Sequence, residues 1–250
     1  MHMDAGKQNN HLLNILESEV KESLLPLLQT VDLPQKKIIE DANSPIDYCY
    51  FPISGVASVV AMAAESPQRV EVGLVGRDGM RGIVAISGAE STPNQTIMQI
   101  SGEGLRVKIT DLMSLTNKHP RLTTLFTRYA HAFSIQSSET ALTNGKGTLA
   151  QRLARWILMA DDRIPGHDFH ISHEFLALMI GVRRAGVTEA LHLLEGQGLI
   201  KSQRSYLVVL DRNGLKKIAT WTYGVAEAEY KRLFGNPYGE ILPITLEQLS

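Results

Sequence analysis

A single cysteine, Cys49, stands in 250 residues, so no internal disulfide staples this fold and its stability must come from an apolar core. Cys49 lies between Tyr48 and Tyr50 with no adjacent cation to lower its pKa, which describes a core-facing thiol better than a redox sensor. No run of roughly 18 apolar residues offers a membrane span, and the N-terminus lacks a basic-then-apolar signal. The expectation is a cytoplasmic protein without a membrane partner. No histidine occurs between Leu12 and Lys118, which excludes a metal-dependent barrel enzyme that takes its ligands from strands. The chain is not expected to be an enzyme, and neither cofactor nor metal is expected. Neither sign of charge dominates the whole chain, with 25 Lys and Arg against 26 Asp and Glu.

What is present is unevenly placed. Residues 144–217 carry 11 basic against 7 acidic residues, while residues 1–143 carry 12 against 15. The positive excess is modest, so attraction for phosphate would be local and salt-sensitive. Within the basic segment, residues 171–200 read as two amphipathic helices around a tight turn. Ser172 and Glu174 suit the first turn of a helix, by capping free amides and by meeting its positive end. That helix is expected to pack through Phe175, Leu178 and Met179. Gly181 can supply the positive φ of the turn, and Val187, Leu191 and Leu194 recur at i, i+4, i+7 on the next helix. Arg183, Arg184, Thr188, Glu189 and His192 are left facing outward. Leu199-Ile200 and Leu207–Leu210 flank a polar turn as a hairpin wing, with Lys201 and Arg204 placed to meet phosphates.

The rest of the chain gives an α+β reading. Residues 10–29 suggest short helices. Residues 37–108 are β-prone pieces separated by closely spaced turns, the texture of a jelly-roll or barrel. After Pro120 an apolar pattern, Leu122, Leu125, Phe126, Tyr129, Ala132, Phe133 and Gln136, runs to Asn144-Gly145. This is a helix of about 24 residues, roughly 36 Å long. Thr148 to Asp161 makes another, with Leu149, Leu153, Trp156, Ile157 and Met159 inward and Gln151, Arg152 and Arg155 outward. A last helix is expected from Asp211–Gly214 to about Phe234, and residues 236–250 carry no interpretable motif. Thr143–Thr148 superficially has the texture of a phosphate loop, but Gly147 follows Lys146 where Ser or Thr is required and no strand precedes it. It reads as a helix end and hinge. His167, His170 and His173 recur every third residue, yet exposed histidines in a loop and helix start explain them better than a zinc site.

Residue for residue, the 171–200 block resembles the DNA-binding motif of the bacterial Crp/Fnr transcription regulators, and the resemblance extends loosely over residues 10 to 217. It implies a β jelly-roll sensor of the cyclic-nucleotide-binding type over residues 1–118, a dimerisation helix and hinge over 119–145, and a winged helix-turn-helix over 146–217. A C-terminal helix and tail complete the chain over 218–250. By resemblance, Arg184 holds the position that reads guanine in the major groove, a contact that contributes about 1–3 kcal/mol of discrimination. Gly186 would allow close approach to a phosphate, and Glu189 could accept from a cytosine amine. Family members dimerise along the long helix, so the implied partners are a second copy, double-stranded DNA and RNA polymerase. Three departures keep the operator sequence from being carried over: Ala185 replaces a frequent Glu, Glu189 a frequent Arg, and Arg183 the capping Ser.

The sensor departs further. Ile83 stands where the ribose-binding Glu of cyclic-nucleotide members should be, and Asn94-Gln95-Thr96 near their phosphate-binding Arg-hydroxyl pair. The usual cyclic AMP anchors are therefore missing, and one cysteine cannot hold the iron–sulfur cluster of the oxygen-responsive members. Arg77, Arg81 and the apolar stretch beginning at Ile83 remain as candidates for an unidentified small-molecule effector; solvated turn charges and a filled pocket are the alternative. Two competing functions stay open: an effector-independent DNA binder whose barrel is a scaffold, and a signalling module that binds protein.

Overall fold

The computed structural model of the chain describes residues 10–66, 68–203 and 205–237. It opens with two short helices, α1 (His11–Asn14) and α2 (Ser18–Leu24). Asn10 caps α1 by accepting from the Leu13 amide, and its own side-chain amide donates to the carbonyls of Pro52 and Gly79 at 2.9 and 2.8 Å. One buried side chain thus ties the start of the described chain to the β domain.

That domain holds β1 (Gln29–Leu33), β2 (Ile38–Glu40), β3 (Tyr48–Pro52), β4 (Val56–Met62), β5 (Arg69–Val75), β6 (Gln95–Ile100) and β7 (Gly102–Lys108). The strands pair antiparallel in two sheets, ordered β1-β7-β3 and β2-β6-β4-β5. Central strand β4 shows why its sequence is a continuous apolar run rather than an alternating one. Successive side chains point to opposite faces, and both faces are covered. Ala57 packs inside with Leu33, Ile39 and Met98, while Val56 and Val60 join a second core shared with the C-terminal helices.

Helix α3 (Ile109–Lys118) follows β7, at a place where no helix is expected from the pattern of residues. The long helix α4 (Pro120–Lys146) has 27 residues and passes straight through Asn144-Gly145. The joint to the next helix is Gly147-Thr148, three residues later than the expected Asn144-Gly145: Gly147 is extended, and Thr148 caps α5 (Leu149–Asp161) in a reciprocal capping box with Gln151. The apolar stripe of α4 meets its own chain. Leu122, Phe126, Tyr129 and Ala132 are buried with Phe51, Met80, Leu112 and Leu115. The periodicity marks a buried face, and within the chain that face packs on the β domain and on α3. The outward face instead carries Thr124, Arg128, Ser138 and Leu142, the last 48% exposed, with Ile135 half-buried.

The C-terminal region contains α6 (His173–Ile180), α7 (Arg184–Gly196) and α8 (Arg212–Ala219) with a small sheet, β8 (Asp168–His170), β9 (Ile200–Gln203) and β10 (Tyr206–Val209). The expected hairpin wing is joined by β8 as a third strand, in the order β8-β10-β9. The expected last helix is broken. After α8 the chain makes a short 3-10 turn at Thr220–Thr222, with Thr220 at φ 52, and α9 (Val225–Phe234) begins in a new direction.

Candidate nucleic-acid interface

Helix α6 is capped as the sequence predicts, with the Ser172 hydroxyl accepting from the Phe175 amide at 3.2 Å. Its fully buried residues are Leu176, Ala177, Met179 and Ile180, whereas Phe175 and Leu178 are only half-buried, so the packing face is rotated from the expected one. Gly181 ends the helix at φ 69, a conformation that costs a side-chain-bearing residue and not glycine. The Val182 amide then donates back to the Ala177 carbonyl at 2.9 Å, closing the helix end. Val187, Leu191 and Leu194 of α7 are buried against Leu153, Trp156 and Ile157 of α5, which leaves the opposite face of α7 open.

On that open face Arg183, Arg184, Glu189 and His192 are exposed. Arg183 is the N-cap of α7 in extended conformation, and no side chain caps the helix. Two arginines at an uncapped N-terminus oppose the helix dipole, an arrangement that makes physical sense when an anion occupies the helix end. Thr188 is half-buried rather than outward. Its hydroxyl donates to the Arg184 carbonyl at 3.2 Å and lies 3.0 Å from His173 Nδ1, bracing the start of α6 against α7. Gly186 has a packing reason for lacking a side chain, since a Cβ there would sit 3.2 Å from Leu149 Cδ2. A depression of about 180 Å³ lies beside these groups, lined by Ser172, His173, Glu174, Arg184 and Ser205. The His173 pKa is lowered by burial and by the positive charges of Arg184 and His192. Lys201 is exposed on β9, opposite Val208. Arg204 lies outside the described residues.

Behind this face is a polar network that composition alone did not reveal. Arg212 donates to Asp161, Asp162 and the Tyr223 hydroxyl, and Tyr223 donates to Asp162 at 2.8 Å. His167 Nδ1 is 2.8 Å from Asp161, so this histidine is buried and structural, not an exposed neighbour of His170 and His173. Among the described residues no cluster of His, Cys, Asp and Glu is arranged to hold a metal. Arg155, expected outward, is buried: its Nε donates to the Thr222 carbonyl at 2.7 Å and its Nη1 faces Thr140 at 3.3 Å. It fastens α5 to α4 and to the turn before α9.

The effector candidates are not brought to one place. Arg81 is buried in an ion pair with Glu40, which also accepts from Thr96 at 3.0 Å, and its guanidinium lies 5.6 Å from the centre of the Phe133 ring. Neither arginine of this glycine-rich turn is fully solvated. Arg77 is half-buried, and its carbonyl accepts from the His11 amide at 2.7 Å. Ile83 opens a 3-10 turn, Ile83–Ser87, and is buried with Cys49, Met80 and Phe126. The alternative expectation of a filled pocket describes Ile83 as found. Cys49 is buried, and desolvation pushes its thiol well above the ordinary range.

The two regions meet at Glu71 on β5. Its buried carboxylate accepts from Ser58 and, at 3.2 Å, from Trp156 Nε1 of α5. Burial raises its pKa to about 7, against the opposing pull of these hydrogen bonds and of Arg155 and Arg163. A raised carboxyl pKa means that the folded state holds the proton more tightly than the unfolded chain. Its contribution to stability is full below about 4.5 and is lost as pH rises through about 7. A shift of this size is worth on the order of 3 kcal/mol. Glu71→Gln is therefore expected to flatten the fall in unfolding free energy between pH 5 and 8, and an unchanged slope in urea titrations would contradict this.

The β domain, the long helix and the winged helix-turn-helix head define a class by architecture, a winged helix-turn-helix joined to a β domain through a long helix. Residues 151–218 match the Crp-like helix-turn-helix domain family. Solved structures with the same fold include FixK2 from Bradyrhizobium japonicum, at 16% identity and TM-score 0.65, covering 76% of this chain and 96% of that one. A Crp/Fnr-family transcriptional regulator from Thermus thermophilus gives 20% identity and TM-score 0.62, covering 78% and 100%. A CooA mutant from Carboxydothermus hydrogenoformans gives 15% and 0.59, covering 86% and 97%. No curated protein matches the sequence. Residues 151–218 are thus a Crp-like helix-turn-helix domain, and the chain as a whole shares the fold of these solved structures. Among the described residues no helix is long and apolar enough to cross a membrane.

Proposed function

We propose that the protein is a cytoplasmic homodimer, a regulator and not an enzyme, that reads a near-palindromic operator by placing α7 in the major groove. The observation that carries this reading is the uncapped start of α7 with Arg183 and Arg184 exposed on it. Arg184 reads a guanine edge, and Glu189 screens the neighbouring base. Lys201 and Arg204 add contacts to phosphates, while Gly186 and Thr188, set against Leu149 and His173, support α7 from behind. RNA polymerase is the protein partner that such a regulator engages. Dimerisation uses the outward face of α4 around Ile135 and Leu142, because two heads must reach major grooves about 34 Å apart. Light scattering tests the dimer directly: two chain masses are expected in free solution and two protomers on each bound duplex, whereas one protomer per duplex refutes it.

A second reading, DNA binding without an effector, is favoured by a specific observation. The Arg81–Glu40 pair and the packed Ile83 turn occupy the region where the sequence left room for a ligand. The lack of the usual cyclic AMP anchors at Ile83 and Asn94-Gln95-Thr96 agrees with it.

A further inference from the structure

Helix α9 lies beyond the end of the matched domain family, at residue 218, and it returns to the β domain. It packs along α4, where Glu229 meets His131 at 3.1 Å, and Tyr230 and Phe234 enter the core with Leu12, Leu13 and Tyr129. The Tyr230 hydroxyl donates to the backbone carbonyl of Asp78, while the Asp78 carboxylate pairs with Arg163 at the end of α5, at 2.7 Å. One residue of the β domain thus holds both the head and its C-terminal extension. The turn around Asp78 is shaped for this. A Cβ on Gly76 would stand 2.7 Å from Arg163 Cβ, and one on Gly79 would stand 2.1 Å from the Tyr129 hydroxyl. These glycines, on either side of Arg77 and Asp78, let α4 and the end of α5 come close.

We propose that α9 is a built-in clasp that sets the orientation of the DNA-reading head on the β domain, in place of a bound effector, and that the clasped state is the DNA-binding state. The clasp uses α4, α5 and the Asp78 turn, and α6 rests on β5, so the open face of α7 stays clear of the β domain while the head is held. A head already oriented loses less freedom on binding. This inference rests on the DNA-binding reading, and two full-length variants test it. In the first, His131→Cys and Glu229→Cys are bridged by a short bis-maleimide, which the buried Cys49 escapes. The bridged protein is expected to keep wild-type affinity and sequence preference for duplex DNA. In the second, Ala226→Glu with Tyr230→Phe pushes α9 away. Hydrogen exchange is expected to rise around Gly147-Thr148 and along α9, and DNA affinity to fall about tenfold with preference retained. Loss of binding on bridging, or faster exchange with unchanged affinity on release, overturns the proposal. If circular dichroism shows the released variant unfolded, the bridged protein decides. A wild-type protein that retains no duplex refutes the DNA-binding reading instead, and exchange at Gly147-Thr148 still reports on the clasp.

Discussion

Arg184→Ala is expected to erase sequence preference at one base pair of each half-site. The side chain is exposed at the first residue of α7, beside a helix end with no side-chain cap, and α7 is held from behind by Val187, Leu191 and Leu194. Removing a bidentate contact to guanine costs about 1–3 kcal/mol of discrimination, so the preferred and the substituted site should converge in affinity by roughly 5- to 150-fold. Lys201→Ala should behave differently. A phosphate contact from the wing weakens all sequences alike and lowers the salt dependence by about one counterion. Competition binding over a panel of single-base variants separates the two. If neither substitution alters DNA binding, α7 and the wing are not the interface.

The largest effect on stability is expected at Arg212. Its guanidinium serves Asp161 and Asp162, whose side chains are 0% and 3% exposed, and it is itself 18% exposed. Burial lifts the Asp162 pKa to about 6, and the charge of Arg212 opposes that rise. Truncating one partner of such a network leaves uncompensated buried charge and costs about 3–5 kcal/mol. Arg212→Met should lower the unfolding free energy measured by urea titration by that amount. Lys216→Met, exposed on the same helix, should change stability by less than about 0.5 kcal/mol. A loss below about 1 kcal/mol for Arg212→Met would mean that water or another group satisfies the two aspartates.

The helix-turn-helix was legible because its signals are local: a capping serine, a turn glycine and a buried i, i+4, i+7 face all fall within residues 172–194. The polar network was not, because its members are far apart in sequence. Asp161 and Asp162 meet Arg212 some fifty residues on, and Arg163 meets Asp78 in another domain. A charged residue on a helix reads as solvated until tertiary structure supplies its partner, which is how Arg155 came to be placed outward. Periodicity likewise tells that the Leu122–Tyr129 face of α4 is covered and is silent on what covers it. Helix α3 was hidden because it follows the β-prone stretch directly and carries Thr, Ser and Asn, which are weak helix formers, and the break after Ala219 by a Thr in an unusual backbone conformation. At the candidate effector region the sequence pointed to Arg77, Arg81 and Ile83, whereas the role of the neighbouring Gly76 and Gly79, which admit the chain's own Arg163 and Tyr129, depends on distant residues.

The most direct measurement is selection from a random duplex pool. Purified full-length protein, with nothing added, is mixed with the pool at moderate salt and the retained fraction is sequenced. The account predicts a two-fold-symmetric motif with half-sites one helical turn apart, carrying a guanine that the Arg184→Ala protein no longer enriches. Retention without any sequence preference would contradict a preset reading head, and no retention at all would turn the winged helix into a surface for protein.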